Sequence, residues 1–199
     1  MSVRAGNERA AGQILIVFAI LILIMVFFLA WIVDGGRIAI RRAETRRGAE
    51  AAANAGMVVV GNQMLTQAVA RQTEAAGRPP CAPEAGYGTP APNCTATPQI
   101  RDIPAWLTDD DRATLVSPAV QTPVAAAAQD YAARNNVGPA STNIVEFSVI
   151  YPFDYQAQAR EIRLNIRIRR AISILLAGVL NRTQAELAEE SIATLPQRK

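Results

Sequence analysis

Residues 14–33 read ILIVFAILILIMVFFLAWIV, 20 apolar residues without a charge, proline or glycine. At about 1.5 Å per residue a helix of this length spans roughly 30 Å, the thickness of a bilayer's hydrocarbon layer. The remainder of the chain is too polar to wrap a uniformly apolar rod, which argues against a core helix. The run exceeds the h-region of about 7–15 residues found in a cleaved secretory signal. It ends Leu29-Ala30-Trp31-Ile32-Val33-Asp34, with no small-residue cleavage site. Residues 13–33 are therefore expected to form a single transmembrane helix, with Trp31 as an interfacial anchor and the lipid bilayer as its first partner.

Composition narrows the rest. The chain has 199 residues, enough for one domain or for a small domain with an appendage. It contains no histidine and two cysteines, so His-dependent acid–base or nucleophilic catalysis, His-ligated metals and a one-chain zinc or Fe–S centre are not expected. With 20 Lys and Arg against 17 Asp and Glu, the net charge of +3 does not point to nucleic acid. The reading is a non-enzyme with no cofactor and no nucleic-acid partner.

Residues 1–12 are a short tail before the span. Residues 34–76 lack proline and are rich in Ala, Arg, Glu and Gln, which predicts a long helical stalk. Within it Gly48, Ala52 and Gly56 recur every four residues, a seam that lets another backbone approach closely. The seam suits a partner helix and the chain's own C-terminal domain equally. Residues 77–104 are a Pro- and Gly-rich loop holding Cys81 and Cys94, the only cysteines. An even pair closing a short loop reads as a disulfide and hence an oxidising compartment.

Residues 105–199 read as a small α+β domain. Thr108-Asp109-Asp110-Asp111 resembles a calcium cluster but fits a helix start better, with Thr108 as N-cap and Asp111 three residues on. A second helix is expected from Pro123 to about Asn135, with Val124, Ala127, Ala128 and Tyr131 on one face and Gly138-Pro139 as its stop. Val145, Phe147, Val149 and Tyr151 then alternate with Ile144, Glu146, Ser148 and Ile150. Ile162, Leu164, Ile166 and Ile168 alternate with Glu161, Arg163, Asn165, Arg167 and Arg169. These runs predict an antiparallel hairpin with one buried face, and Arg163, Arg167 and Arg169 form a solvated outer face paired in part with Glu146. A helix over Ala171 to Leu180 would cover the hairpin, and residues 182–194 suit either helix or a third strand.

Three stretches share a pattern: Arg9-Ala10-Ala11-Gly12-Gln13 before the apolar run, Val33-Asp34-Gly35-Gly36-Arg37 at its end, and Gly48-Ala49-Glu50-Ala51-Ala52-Ala53-Asn54-Ala55-Gly56 beyond it. Together they resemble the N-terminal region of TadE/TadG-like proteins of the tight-adherence (Flp) pilus system. The segment from Ala127 to Gly138, followed by a strand, is also similar to that family. The resemblance implies a bacterial envelope protein, anchored by its N-terminal helix, with a small pilin-like domain and a pseudopilin or accessory role in pilus assembly or secretion. It implies Asp34, Gly35, Gly36 and Arg37 as a membrane-interface motif, and a prepilin-type cut between Gly12 and Gln13. Pilin-like precursors typically carry a glutamate at the fifth mature position, where this chain has Val17, a departure that favours a permanently anchored TadG-like variant.

Charge alone would put the bulk of the chain in the cytoplasm, since Arg37, Arg41, Arg42, Arg46 and Arg47 follow the span while Arg4, Glu8 and Arg9 precede it. The cysteine pair and the resemblance favour the reverse, with the N-terminus in the cytoplasm. Other membrane or pilus subunits are expected partners through helix packing. A single-span accessory subunit of another large membrane complex, respiratory or photosynthetic, is the competing role.

Overall fold

The structure is a computed structural model that describes residues 5–77, 103, 107–155, 161–175 and 184–196. Helix α1 (Ala5–Ala76) is unbroken for 72 residues, because no proline interrupts it and strong helix formers dominate its second half. It ends at Gly77, whose φ of +62° only glycine adopts without cost. Helices α2 (Asp109–Leu115) and α3 (Pro118–Arg134) follow, and then strands β1 (Ile144–Ile150), β2 (Glu161–Ser173) and β3 (Gln184–Pro196). The strands form one sheet in the order β1-β2-β3, with β1 and β2 antiparallel. The expected α+β class and hairpin are what the chain adopts.

The chain divides into two compact units, residues 1–43 with 171–187 and residues 44–170 with 188–199. The second unit holds the core. Ala49, Ala52, Ala53, Met57, Val60, Met64 and Ala68 of α1 pack in one cluster with Val120, Val124, Ala128 and Ala132 of α3 and with Ile162, Leu164, Ile166 and Ile168 of β2. Each of the four buried aliphatics of β2 contributes about 1.5–3 kcal/mol by leaving water. Ala193 and Leu195 of β3 pack against the same cluster.

Several local expectations are corrected. Helix α3 starts at Pro118, five residues earlier than expected, because proline is preorganised for the first helical position, and it carries Pro123 within it. Its buried face is Val120, Val124, Ala128 and Ala132, whereas Tyr131 is 45% exposed beneath the Arg134 guanidinium. The helix stops at Arg134 through Asn136, whose φ is +57°, and not through Gly138. Asn136 N–H donates to the Ala133 carbonyl at 3.0 Å and Val137 N–H to that of Ala132 at 2.9 Å, a Schellman motif.

In β1 the register slips between Ile144 and Glu146. This bulge turns Val145 outward, 54% exposed, and brings Ile144 against the core beside Phe147 and Val149. The helix expected over Ala171–Leu180 is not formed at its start, because β2 continues through Ser173; the alternation of Ile162 to Ile168 extends to Ile172, which is buried. Residues 176–180 lie outside the described residues. The segment left open between helix and strand is β3.

Candidate functional site: the long helix and its two faces

Between Ile14 and Val33 every large apolar side chain of α1 is between 47% and 71% exposed. A rod this apolar and this uncovered is incompatible with bulk water as its only surroundings, and it is one helix long and apolar enough to cross a membrane. Gly12 and Gln13 lie within the helical run immediately before it. At its far end, the Asp34 carboxylate is buried and its Oδ1 accepts a hydrogen bond from the Leu175 backbone N–H at 3.0 Å. A Cβ on Gly35 or Gly36 would meet nothing within 4 Å, so these two glycines answer to no close packing, and Arg37 is exposed.

The seam is different. Gly48, Ala52, Gly56, Val60, Met64 and Ala68 are all buried at four-residue intervals, and their neighbours belong to the same chain. A Cβ on Gly48 would lie 2.3 Å from Val137 Cγ2, and one on Gly56 would lie 2.5 Å from Leu164 Cδ2 and 3.3 Å from the Val124 carbonyl oxygen. The small residues thus let α3 and β2 approach the backbone of α1. Of the two occupants that suit the seam, the chain's own C-terminal part fills it here. The face of α3 that meets it, Val120, Val124, Ala128 and Ala132, has the same four-residue spacing, so like ridges interdigitate.

Polar groups fix the two ends of this packing. Thr108 caps α2 with the full box: Thr108 Oγ1 accepts from Asp111 N–H at 3.2 Å, and Asp111 Oδ2 accepts from Thr108 N–H at 3.0 Å. The same carboxylate takes a bidentate pair from Arg71 of α1, Nε to Oδ2 at 3.0 Å and Nη2 to Oδ1 at 3.1 Å. The Arg71 guanidinium, opposed by burial and aided by Thr108, holds the Asp111 pKa down at about 2. Asp111 is therefore a structural acid, while Asp109 and Asp110 are exposed in the first turn. At the other end of α2, Tyr151 donates its hydroxyl proton to the Leu115 carbonyl at 2.7 Å.

The outer face of the sheet is a ladder of opposite charges. Arg169 meets Glu146 at 3.2 Å, Arg167 meets Glu190 at 3.4 Å, and Arg163 meets Glu161 at 2.9 Å. Asn165 Nδ2 also donates to Glu190, tying β3 to β2. This is the solvated, paired face read from the alternation. The sequence carried no signal for Val137 or Arg71, and it singled out Asp34 only within the interface motif, without its contact with Leu175. Cys81 and Cys94 lie outside the described residues. Among the described residues no group of three or more Cys, Asp and Glu is placed to hold a metal ion.

No curated protein and no solved structure matches the chain. Residues 12–59, which join the uncovered apolar run to the small-residue seam, match the family described as putative Flp pilus-assembly TadE/G-like.

Proposed function

We propose that this chain is a non-catalytic, pseudopilin-like component of Flp-type pilus assembly at the bacterial envelope. In this reading residues 14–33 anchor it as a single span, the N-terminus is cytoplasmic, and the bulk of the chain is extracytoplasmic with Cys81 and Cys94 bridged. One observation carries it: the family match over residues 12–59 falls on the helix whose apolar run is exposed among the described residues. A helix that is apolar on all sides gains nothing from water and pairs with lipid or with other apolar helices. Because the chain itself fills the seam at Gly48 and Gly56, lateral contacts with other pilus or membrane subunits fall to the exposed apolar run.

Deleting the chain in its host is expected to abolish assembled pili at the cell surface, with recovery on re-expression; normal pilus numbers in the deletion would overturn the assembly role. The anchored form is expected to stay with membranes in alkaline carbonate and to leave them only in detergent. Intact mass with and without reduction and alkylation then reports whether residues 1–12 are removed and whether the cysteines are paired.

A further inference from the structure

Asp34 is the first ionisable residue after the apolar run, and only 4% of it is exposed. Its carboxylate holds the backbone N–H of Leu175 at 3.0 Å. The two residues belong to one compact unit, built from the first 43 residues and residues 171–187. The chain leaving β2 is thereby pinned to the helical turn at which the apolar run ends. Asp34 stands one residue beyond Val33, a rise of about 1.5 Å along the axis, so a leucine side chain at this point reaches the level of the last apolar residues.

The side chains at this point have an unusual distribution. Ile172 is buried and Ile174 half-buried, but Leu175 is 59% exposed. A leucine uncovered beside the end of a membrane-length apolar helix has its natural cover in the same lipid. The backbone amide that accompanies it there needs an acceptor, since lipid supplies none, and the buried Asp34 carboxylate is that acceptor. We propose that the turn after β2, through Leu175, dips into the surface of the bilayer crossed by residues 14–33, giving the protein a second membrane contact clamped to the first by Asp34. The inference rests on the reading of residues 14–33 as a membrane span.

The test uses the full chain in phospholipid nanodiscs, with the photo-crosslinker p-benzoylphenylalanine placed singly at position 175, 22 or 145. Leu175 and Val145 are exposed, so the larger ring displaces no core packing at either site. On illumination, positions 175 and 22 are expected to gain the mass of one phospholipid, and position 145 is expected not to. A lipid adduct at 22 with none at 175 overturns the second contact while leaving the span intact. Capture of a second protein chain at 175 in place of lipid overturns it in favour of a protein contact. Absence of lipid at both 22 and 175 refutes the span and the second contact together.

Discussion

Gly48→Ala is expected to destabilise the protein, although it replaces glycine by the strongest helix former in the interior of a helix. By propensity alone the change contributes about 1 kcal/mol in favour of folding. Against this, the new Cβ would lie 2.3 Å from Val137 Cγ2, 3.1 Å from Cγ1 and 3.3 Å from Cβ. Val137 is fully buried, its branched side chain is stiff about χ1, and the Schellman motif at Asn136 fixes its backbone. Rotation therefore exchanges one clash for another, and overpacking costs about 1–3 kcal/mol; with three atoms involved the upper part of that range applies. The net loss is about 1–2 kcal/mol, a fall in midpoint of about 2–8 °C for a chain of this size. Gly61→Ala is the control, because a Cβ there meets nothing within 4 Å; it is expected to raise the midpoint by about 2–4 °C. Val137→Ala removes both methyl groups that block Gly48, at its own cost of about 2 kcal/mol. In that background Gly48→Ala should turn from destabilising to neutral or stabilising, a coupling of about 2 kcal/mol. Thermal unfolding of the full chain in one detergent, followed by circular dichroism, measures all of these. Equal penalties for Gly48→Ala with and without Val137, or a rise in the wild-type background matching that of Gly61→Ala, would refute the cis-packed seam.

Asp111 supplies a pH test. Its pKa falls from an unfolded value of about 3.9 to about 2 in the folded protein, so its contribution is fully present above about pH 4 and is lost as the pH falls through about 2. Because the Arg71 side chain is 40% exposed, water screens the pair and its contribution is smaller than the pKa shift alone implies. The stability gap between wild type and Asp111→Asn should hold from neutral pH to about 4 and then close towards about 2; a gap that does not narrow would show that the pair does not act as an ion pair. Tyr151→Phe leaves the buried Leu115 carbonyl without its donor and should cost about 1–2 kcal/mol in denaturant unfolding. Burial first, and the neighbouring Tyr155 second, push the Tyr151 phenol up, so this difference should persist unchanged into mild alkali, and a difference that vanishes there would contradict it.

What was legible in the sequence had a period or a compositional limit behind it. The run from Ile14 to Val33 needs no partner to be read as a span-length helix, and Ile162 to Ile168 needs only the alternation of a strand to reveal its buried face. The capping box at Thr108 is equally local, since both of its hydrogen bonds close within three residues. The errors fall where a distant contact outweighs a local rule. Tyr131 sits on the apolar stripe of α3 by spacing, but Val120 and Ala132 take the buried positions once the helix begins at Pro118. Val145 belongs to the inward set by alternation until the bulge beside it shifts the count by one. Ala171 to Leu180 has helix-forming Leu and Ala in its second half, yet the strand pairing already under way carries β2 through Ser173.

The seam shows most clearly why part of a site is invisible in sequence. Gly48, Ala52 and Gly56 state that something approaches the backbone closely, but small residues are the same signal whether the neighbour comes from another molecule or, like Val137, from far along the same chain. The deciding information lies at Asn136. Its left-handed backbone ends α3 and turns Val137, and not a solvated residue, onto Gly48, which makes the seam a fold contact and removes it from the surface. The face left without cover is the apolar run from Ile14 to Val33. The small-residue half of α1 is thus committed to its own domain, while its apolar half is exposed among the described residues.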